Sequence, residues 1–256
     1  MNVATAAARV DDAARHVEAI EQLSAGESFS LGQAYEIQRA SIKRRTQRGE
    51  RTVGIKLGFT SRAKMIQMGV DSLIWGWLTD AMLEAEGASV DLSRFIHPRV
   101  EPEVCFVTRR DIDRPLTALE AHAYIEAVAP AMEIIDSRYR AFRFTLEDVV
   151  ADNCSSAGLV IGAWSRRFDV LRNAGVLMRF NGRDVQTGST AAILGHPLRS
   201  VVQASHLVAE AETPLPAGSL IMAGAATAAQ ALTPGLHVQC VVSGIGQAEF
   251  TTSSGA

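Results

Sequence analysis

The sequence predicts an α+β fold in which a mostly β core follows an N-terminal helical region. Three observations carry this. Residues 3 to 23 and 30 to 49 place apolar side chains at helical spacing, while from Val53 onward the apolar runs are short. Asn181-Gly182 separates two such runs, and Asn-Gly suits the two positive-φ positions of a type I′ hairpin turn. Many short strands beside few helices argue for an α+β fold with a mostly β core.

Taken in order, the Ala-rich stretch from 3 to 23 puts Val10, Ala14, Val17 and Ile20 on one helix face. Ser30 is placed to cap a second helix through Tyr35, Ile37 and Ile42, which Gly49 ends. Val53 to Phe59 reads as a strand. Ser61 caps a short helix over Lys64 to Met68, closed by Gly69, and a loop carrying Trp75 and Trp77 follows. Arg99 to Val107 is a strand, residues 117 to 128 are expected to be helical, and 131–135 and 158–162 are expected strands. The hairpin spans 176–180 and 183–187, and Pro197 opens a helix to about Glu210. Residues 219–222, 236–242 and 247–251 close the core. The expected division is a helical region over 1–50 and a β-rich domain over 51–256, acting as one unit.

Composition narrows the function classes. A net charge of −3 and 21% charged residues argue against nucleic acid or an anionic membrane as partner. Lys43, Arg44, Arg45 and Arg48 are clustered, but at a helix end, where cations complement the dipole. Cys105, Cys154 and Cys240 lack zinc-site spacing, and with no secretory signal they fit a reducing cytoplasm. No run approaches the ~20 apolar residues of a membrane span. Walker A, G-x-S-x-G and H-E-x-x-H patterns are absent, and His97 and His196 precede prolines at turn-like positions.

The segment Arg99-Val-Glu-Pro-Glu-Val-Cys-Phe-Val107 holds the most chemistry. Side chains alternate along a strand, so Glu101 and Glu103 share a face, with Val100, Val104 and Phe106 opposite. Two adjacent carboxylates on an apolar strand repel unless a positive charge sits between them. A hard divalent cation such as Mg²⁺ or Mn²⁺ answers that need, and Glu133, which interrupts another apolar run, is a third candidate ligand. The competing reading is a solvated strand face, or pairing with Arg99 and Arg138. Lys56 lies inside an apolar strand between Gly54 and Gly58, so it snorkels at an edge, pairs, or sits in a pocket. Ala151-Asp-Asn-Cys-Ser-Ser156 is either a plain turn or a set of hydroxyl and N–H donors for an anion, and Ala223-Gly-Ala-Ala-Thr227 is a second small-residue loop of that kind.

Together these segments resemble the 2-keto-4-pentenoate hydratase and 4-oxalocrotonate decarboxylase family of the fumarylacetoacetate hydrolase superfamily. The resemblance rests on Gly54-Ile-Lys-Leu-Gly-Phe-Thr-Ser61, Met68-Gly-Val-Asp71, Ile96-His-Pro-Arg-Val-Glu-Pro-Glu103, Glu133-Ile-Ile-Asp-Ser-Arg138, Ala151 to Ser156, Asn181-Gly182 and Leu194-Gly-His-Pro197, in family order from about residue 30 onward. It implies a mixed β-roll core behind the N-terminal helices, with 51–256 as the catalytic domain. It further implies Mg²⁺ or Mn²⁺ on Glu101, Glu103 and Glu133, and catalytic roles for Lys56 and Ser155. Substrate contacts are implied for the loop from Gly224 to Thr227, although Ala225 and Ala226 stand where the family often has glycine. Family hydratases carry an aspartate just before an aromatic-Gly pair, and here Ile74 takes that place, in Ser72-Leu-Ile-Trp-Gly76. Hydration needs a positioned proton donor and acceptor. Loss of CO₂ does not, and an apolar wall of Leu73, Ile74 and Trp75 favours the neutral product. Asp136-Ser-Arg-Tyr-Arg-Ala-Phe142 is also more similar to the decarboxylase branch. The implied reaction is decarboxylation of 4-oxalocrotonate to 2-hydroxypenta-2,4-dienoate in meta-cleavage degradation of aromatic compounds. The alternative is hydration of that dienoate, or a related keto-acid lyase or hydrolase reaction. A homo-oligomer and a complex with a partner hydratase are further implications.

Overall fold

The computed structural model describes residues 1–61, 65–66 and 73–255. Thirteen strands are named along them: β1 Thr52–Gly58, β2 Ile74–Thr79, β3 Leu83–Glu84, β4 Ser89–Asp91, β5 Arg99–Thr108, β6 Ile125–Ile135, β7 Ser156–Ile161, β8 Gly175–Phe180, β9 Arg183–Ser189, β10 Leu220–Met222, β11 Gln230–Ala231, β12 His237–Val242 and β13 Gly246–Ser253. The larger sheet runs β2-β1-β10-β5-β6-β7-β3, with β11 paired to the start of β5. The smaller runs β4-β13-β12-β8-β9. Most pairs are antiparallel, and β1/β10, β3/β7 and β13/β4 are parallel.

The main core lies between the sheets. Val100, Val104 and Phe106 of β5 and Val128, Met132 and Ile134 of β6 meet Val238, Cys240 and Val242 of β12 and Ala248 and Phe250 of β13. Four α-helices are used below: α1 Val3–His16, α2 Leu31–Gln47, α3 Leu146–Ala151 and α4 Leu198–Glu210. Helix α4 adds Val201, Ala204 and Val208 to this core. Each buried Val, Ile, Met or Phe side chain contributes roughly 1.5–3 kcal/mol by leaving water.

The other face of the larger sheet is different. Leu78, Met82, Cys105, Ala131, Leu159, Leu220 and Met222 form a small apolar floor there. Beside it, α1, α2 and α3 close a third cluster with Ala6, Val10, Leu23, Ile37, Ile74, Tyr139, Val149 and Cys154. Gln38 of α2 ties these helices to the sheet, its amide donating to the carbonyls of Trp75 and Val150 at 3.0 Å each.

Several local expectations hold. Ser30 caps α2 in a reciprocal capping box with Gln33, and Asn181 (φ 50°) and Gly182 (φ 76°) form the hairpin turn. Others are corrected. Helix α1 stops at His16, because Val17 turns left-handed at φ 57°, and Ile20 instead bridges to Tyr139. Residues 117–128 are not a helix: only Ala121–Tyr124 form a 3-10 turn, and β6 already begins at Ile125, drawn into pairing with β5. The supposed loop at Trp75 and Trp77 is strand β2, and α3 was not foreseen. Apart from Met65 and Ile66, the helix expected over Lys64–Met68 and the segment Met68–Asp71 lie outside the described residues.

Candidate active site

Strand register assembles an acidic cluster on the floor side of the larger sheet. Glu101 pairs directly with Glu133 across β5 and β6, and Glu103 lies one step further along β5 on the same face. One carboxylate oxygen from each falls within 4.8 Å of the others. The residues are 7%, 1% and 0% exposed, so these acids do not form a solvated strand face. Lys56 reaches them from β1, which lies inside the sheet between β2 and β10 and is therefore not an edge strand. Its Nζ donates to Glu133 Oε2 at 2.9 Å. The backbone N–H of Gly224 donates to Glu103 Oε2 at 2.8 Å. Gly224 has φ +104°, and a Cβ there would lie 2.0 Å from Thr60 Oγ1, so this donor position requires glycine.

Glu103 Oε1 and Glu133 Oε1 are buried without a hydrogen-bond partner among the described residues. Buried oxygens of this kind are costly unless something binds them. Burial pushes the Glu103 carboxyl well above the usual carboxylate range, with Glu133 adding to the shift and Lys56 opposing it. Burial likewise raises Glu133, again against Lys56. Burial would lower Lys56, but the charge of Glu133 holds it above its ordinary value. Three converging buried carboxylates, with unpartnered oxygens on Glu103 and Glu133, fit a hard divalent cation.

The arginines weighed as partners for these acids are engaged elsewhere. Arg138 is buried against Asp152, its backbone N–H donating to Oδ2 at 3.0 Å and its Nε to Oδ1. The Arg99 guanidinium lies 4.4 Å from the centre of the Phe142 ring. The glycines flanking Lys56 admit protein rather than ligand: a Cβ on Gly54 would strike the Leu220 carbonyl at 2.0 Å, and one on Gly58 the Ile74 side chain at 2.7 Å.

The small polar segment after α3 is a built turn. Asn153, Cys154 and Ser155 have φ of 48°, 52° and 58°, three consecutive non-glycine residues in the left-handed region. Such residues persist only where their surroundings over-determine them. Here Asp152 is held by Arg138, and the Asn153 amide brackets Trp77, accepting from its N–H at 2.7 Å and donating to its carbonyl at 2.9 Å. Cys154 Sγ donates to the Trp75 carbonyl at 3.1 Å, and burial pushes its thiol up to about 12. Gly76 makes room for the turn, since a Cβ there would lie 2.6 Å from the Asn153 carbonyl. The result is a buried Ser155 hydroxyl with no partner among the described residues.

A cleft of about 380 Å³ opens over this arrangement, lined by Lys56, Glu101, Ser155, Ile74, Phe142 and Arg99 among others. The sequence therefore finds Lys56, the three acids, Ser155 and Ile74 in one place. The other expected contacts lie differently. Trp75 points to the opposite face of β2, 5% exposed in the main core and stacked 5.7 Å from Tyr35. Leu73 and Thr227 are half-buried outside the lining, whose loop members are Ala228 and Ala229, and Gly224 holds Glu103 from behind. Sequence reasoning missed the aromatic rim of Phe59, Phe142 and Phe144. It also missed Asp136, whose carboxylate accepts from the N–H groups of Ile96 and His97 at 2.8 Å and fixes the approach to β5. The tripeptide Phe142-Arg-Phe144 next to a family motif was the available signal.

Comparison with known proteins places this geometry. Residues 53–252 match the family model of the fumarylacetoacetate hydrolase C-terminal region. The chain is 51% identical over 253 residues to a 4-oxalocrotonate decarboxylase from a Pseudomonas species, covering 99% of both chains. It is 37% identical over 213 residues to a 2-keto-4-pentenoate hydratase of Paraburkholderia xenovorans, covering 82% of this chain and 79% of the relative. A solved 4-oxalocrotonate decarboxylase from Pseudomonas putida G7, complexed with magnesium and adipate, superposes with a TM-score of 0.94 at 37% identity, over 98% of this chain and 97% of that one. With most of its length matched by the family model and nearly all of it aligned to a relative at 51% identity, the chain belongs to the fumarylacetoacetate hydrolase family.

Proposed function

We propose that this protein decarboxylates 4-oxalocrotonate to 2-hydroxypenta-2,4-dienoate, using a divalent metal, Mg²⁺ or Mn²⁺, held by Glu101, Glu103 and Glu133. The observation that carries the metal is the pair of buried, unpartnered oxygens on Glu103 and Glu133 within a 4.8 Å cluster. When bound, the metal supplies a Lewis acid for the 1-carboxylate and 2-oxo groups of the substrate. The chain does the rest. Lys56, fixed by Glu133, sets a cation beside the keto acid and manages a proton at its oxygen. Ser155 offers its free hydroxyl to a carboxylate oxygen. As the C5–C6 bond breaks, its electron pair passes through C3=C4 to the 2-oxo oxygen, which takes up one proton, and CO₂ leaves. The apolar side chain of Ile74, 2% exposed in the wall of the cleft, excludes water and favours the neutral product.

The second reading is hydration of 2-hydroxypenta-2,4-dienoate, kept because a hydratase relative is 37% identical. Ile74 speaks against it, since the cleft then lacks the acid that hydratases place there. The cytoplasm is the proposed compartment: the three cysteines are free and buried, and no described helix is long and apolar enough to cross a membrane. The proposal extends to one functional unit of helices and sheets, to self-association, and to docking with a hydratase that consumes the dienoate.

The test is CO₂ release from 4-oxalocrotonate with Mg²⁺ and with EDTA, following the dienoate in the same sample. Metal-dependent CO₂ with accumulating dienoate supports the proposal, and Glu103→Gln abolishes it while keeping the fold. Hydration of supplied dienoate without CO₂ release moves the assignment to the hydratase branch.

A further inference from the structure

We propose that Arg99 is the specificity-determining residue that captures the second carboxylate of a dianionic substrate, and that Phe142 positions it. This deepens the preceding reading, on which it rests for the identity of the substrate as a six-carbon diacid. Arg99, Glu101 and Glu103 follow one another on one face of β5, running from exposed at the cleft mouth to 1% exposed at its base. Two strand residues, about 7 Å, separate Arg99 from Glu101. An extended six-carbon diacid spans a comparable distance. Its keto-acid end at the carboxylate cluster therefore leaves its far carboxylate in the range of Arg99.

Among the described residues, the cationic side chains lining the cleft are Lys56 and Arg99. Lys56 is taken by Glu133. Arg99 pairs with no carboxylate among the described residues and rests its guanidinium on the Phe142 ring at 4.4 Å. Stacking occupies the flat face of a guanidinium and leaves its N–H edge free for a carboxylate fork. The ring is itself fixed: it packs 5.1 Å from the His97 ring and 6.0 Å from Phe144, on a residue in the left-handed conformation at φ 57°.

An ion pair with the leaving carboxylate stabilises the bound ground state, whereas departing CO₂ carries no charge. Arg99 therefore serves capture and not bond cleavage, which proceeds once the carboxylate has turned to the apolar side by Ile74. Loss of Arg99 then raises KM and leaves kcat unchanged or higher.

The experiment is calorimetric titration of the Mg²⁺-loaded protein with adipate and with hexanoate, which has one carboxylate fewer. The expected result is a clear adipate preference in the native protein. Arg99→Met weakens adipate about tenfold and leaves hexanoate unchanged, as for one charged hydrogen-bonded contact. Arg99→Lys recovers part of the loss, and Phe142→Leu gives a smaller loss of the same sign. A native protein indifferent to the second carboxylate, or an Arg99→Met variant that keeps the preference, overturns the assignment. Phe142→Leu binding like the native protein removes the positioning role. Binding needs no turnover, so a diacid preference without CO₂ release leaves Arg99 standing while the decarboxylase reading falls.

Discussion

Replacing Lys56 with methionine removes the ammonium 2.9 Å from Glu133 and leaves a side chain of similar length in its place. Lys56 and Glu133 are 5% and 0% exposed. Removing one partner of a buried pair costs about 3–5 kcal/mol, because the other charge stays buried. Part of this is relieved when Glu133 takes up a proton, which its raised pKa favours, so the lower end, about 3 kcal/mol, is expected at neutral pH. For a chain of this size each kcal/mol moves the melting temperature by about 2–4 °C, giving a drop of roughly 6–12 °C in EDTA. A divalent cation offsets the loss, since ligand at a hundred times its Kd adds about 2.7 kcal/mol. Without the ammonium on Glu133 the cluster binds Mg²⁺ more tightly, so at one Mg²⁺ concentration the rise in Tm is larger in Lys56→Met than in the native protein. Scanning calorimetry with and without metal reads both quantities. A variant that melts within 2 °C of the native protein in EDTA, or that Mg²⁺ does not stabilise, refutes the reasoning. Turnover should fall at least about a hundredfold whatever the melting result, as for loss of a proton-managing group.

Further predictions come from the same geometry. Ile74→Asp puts a carboxylate into the apolar wall and lowers CO₂ release by about ten- to a hundredfold; an unchanged rate in the CO₂ assay removes the main reason for preferring decarboxylation. Glu103 and Glu133 have raised folded pKa values. Their contribution to metal-free stability is therefore fully present below the unfolded carboxylate range and is lost as pH rises through the raised values, while the Mg²⁺-induced gain in Tm grows with pH; a gain independent of pH from 5 to 8 contradicts this. Asp11 shows the opposite sign. Burial works to raise its pKa, but hydrogen bonds from Arg48 and Arg44 win and lower it. Its contribution is present above the unfolded aspartate value and lost as pH falls through the folded one. Asp11→Asn costs about 1–2 kcal/mol at neutral pH, both arginines being partly solvated, and flattens the acid limb of Tm against pH. An acid limb unchanged from the native protein argues against this.

The acidic site was legible because strand alternation is a strict rule: Glu101 and Glu103 had to share a face, and Glu133 needed only the β5/β6 register to join them. The Asn181-Gly182 turn and the Ser30 cap were legible for the same reason, being local chemistry. Residues 117–128 misled because Ala, Leu and Glu favour a helix locally, whereas Ile125 onward is claimed by pairing with β5, and Ala131 onward by β7 as well. Strand β2 was hidden by its tryptophans, although Ile74, Gly76 and Leu78 alternate with Trp75 and Trp77. The Thr145 and Asp148 capping box of α3 was visible in the sequence and went unread. The turn at 153–155 is only half marked: Asp152-Asn153 announces a turn, but no glycine announces three consecutive left-handed residues, which are held where Arg138 and β2 converge.

Gln38 gives these contacts a place in time. Its two acceptors, the carbonyls of Trp75 and Val150, lie 37 and 112 residues further along the chain. During synthesis α1 and α2 emerge first, yet Ile74, Tyr139, Val149, Val150, Ala151 and Cys154, which complete their apolar cluster, come later in the chain. Contacts of such long sequence separation form late. The beginning of this molecule therefore settles only after the turn bearing Ser155 has been threaded beside β2, and completion of the helices and completion of the cleft become a single event.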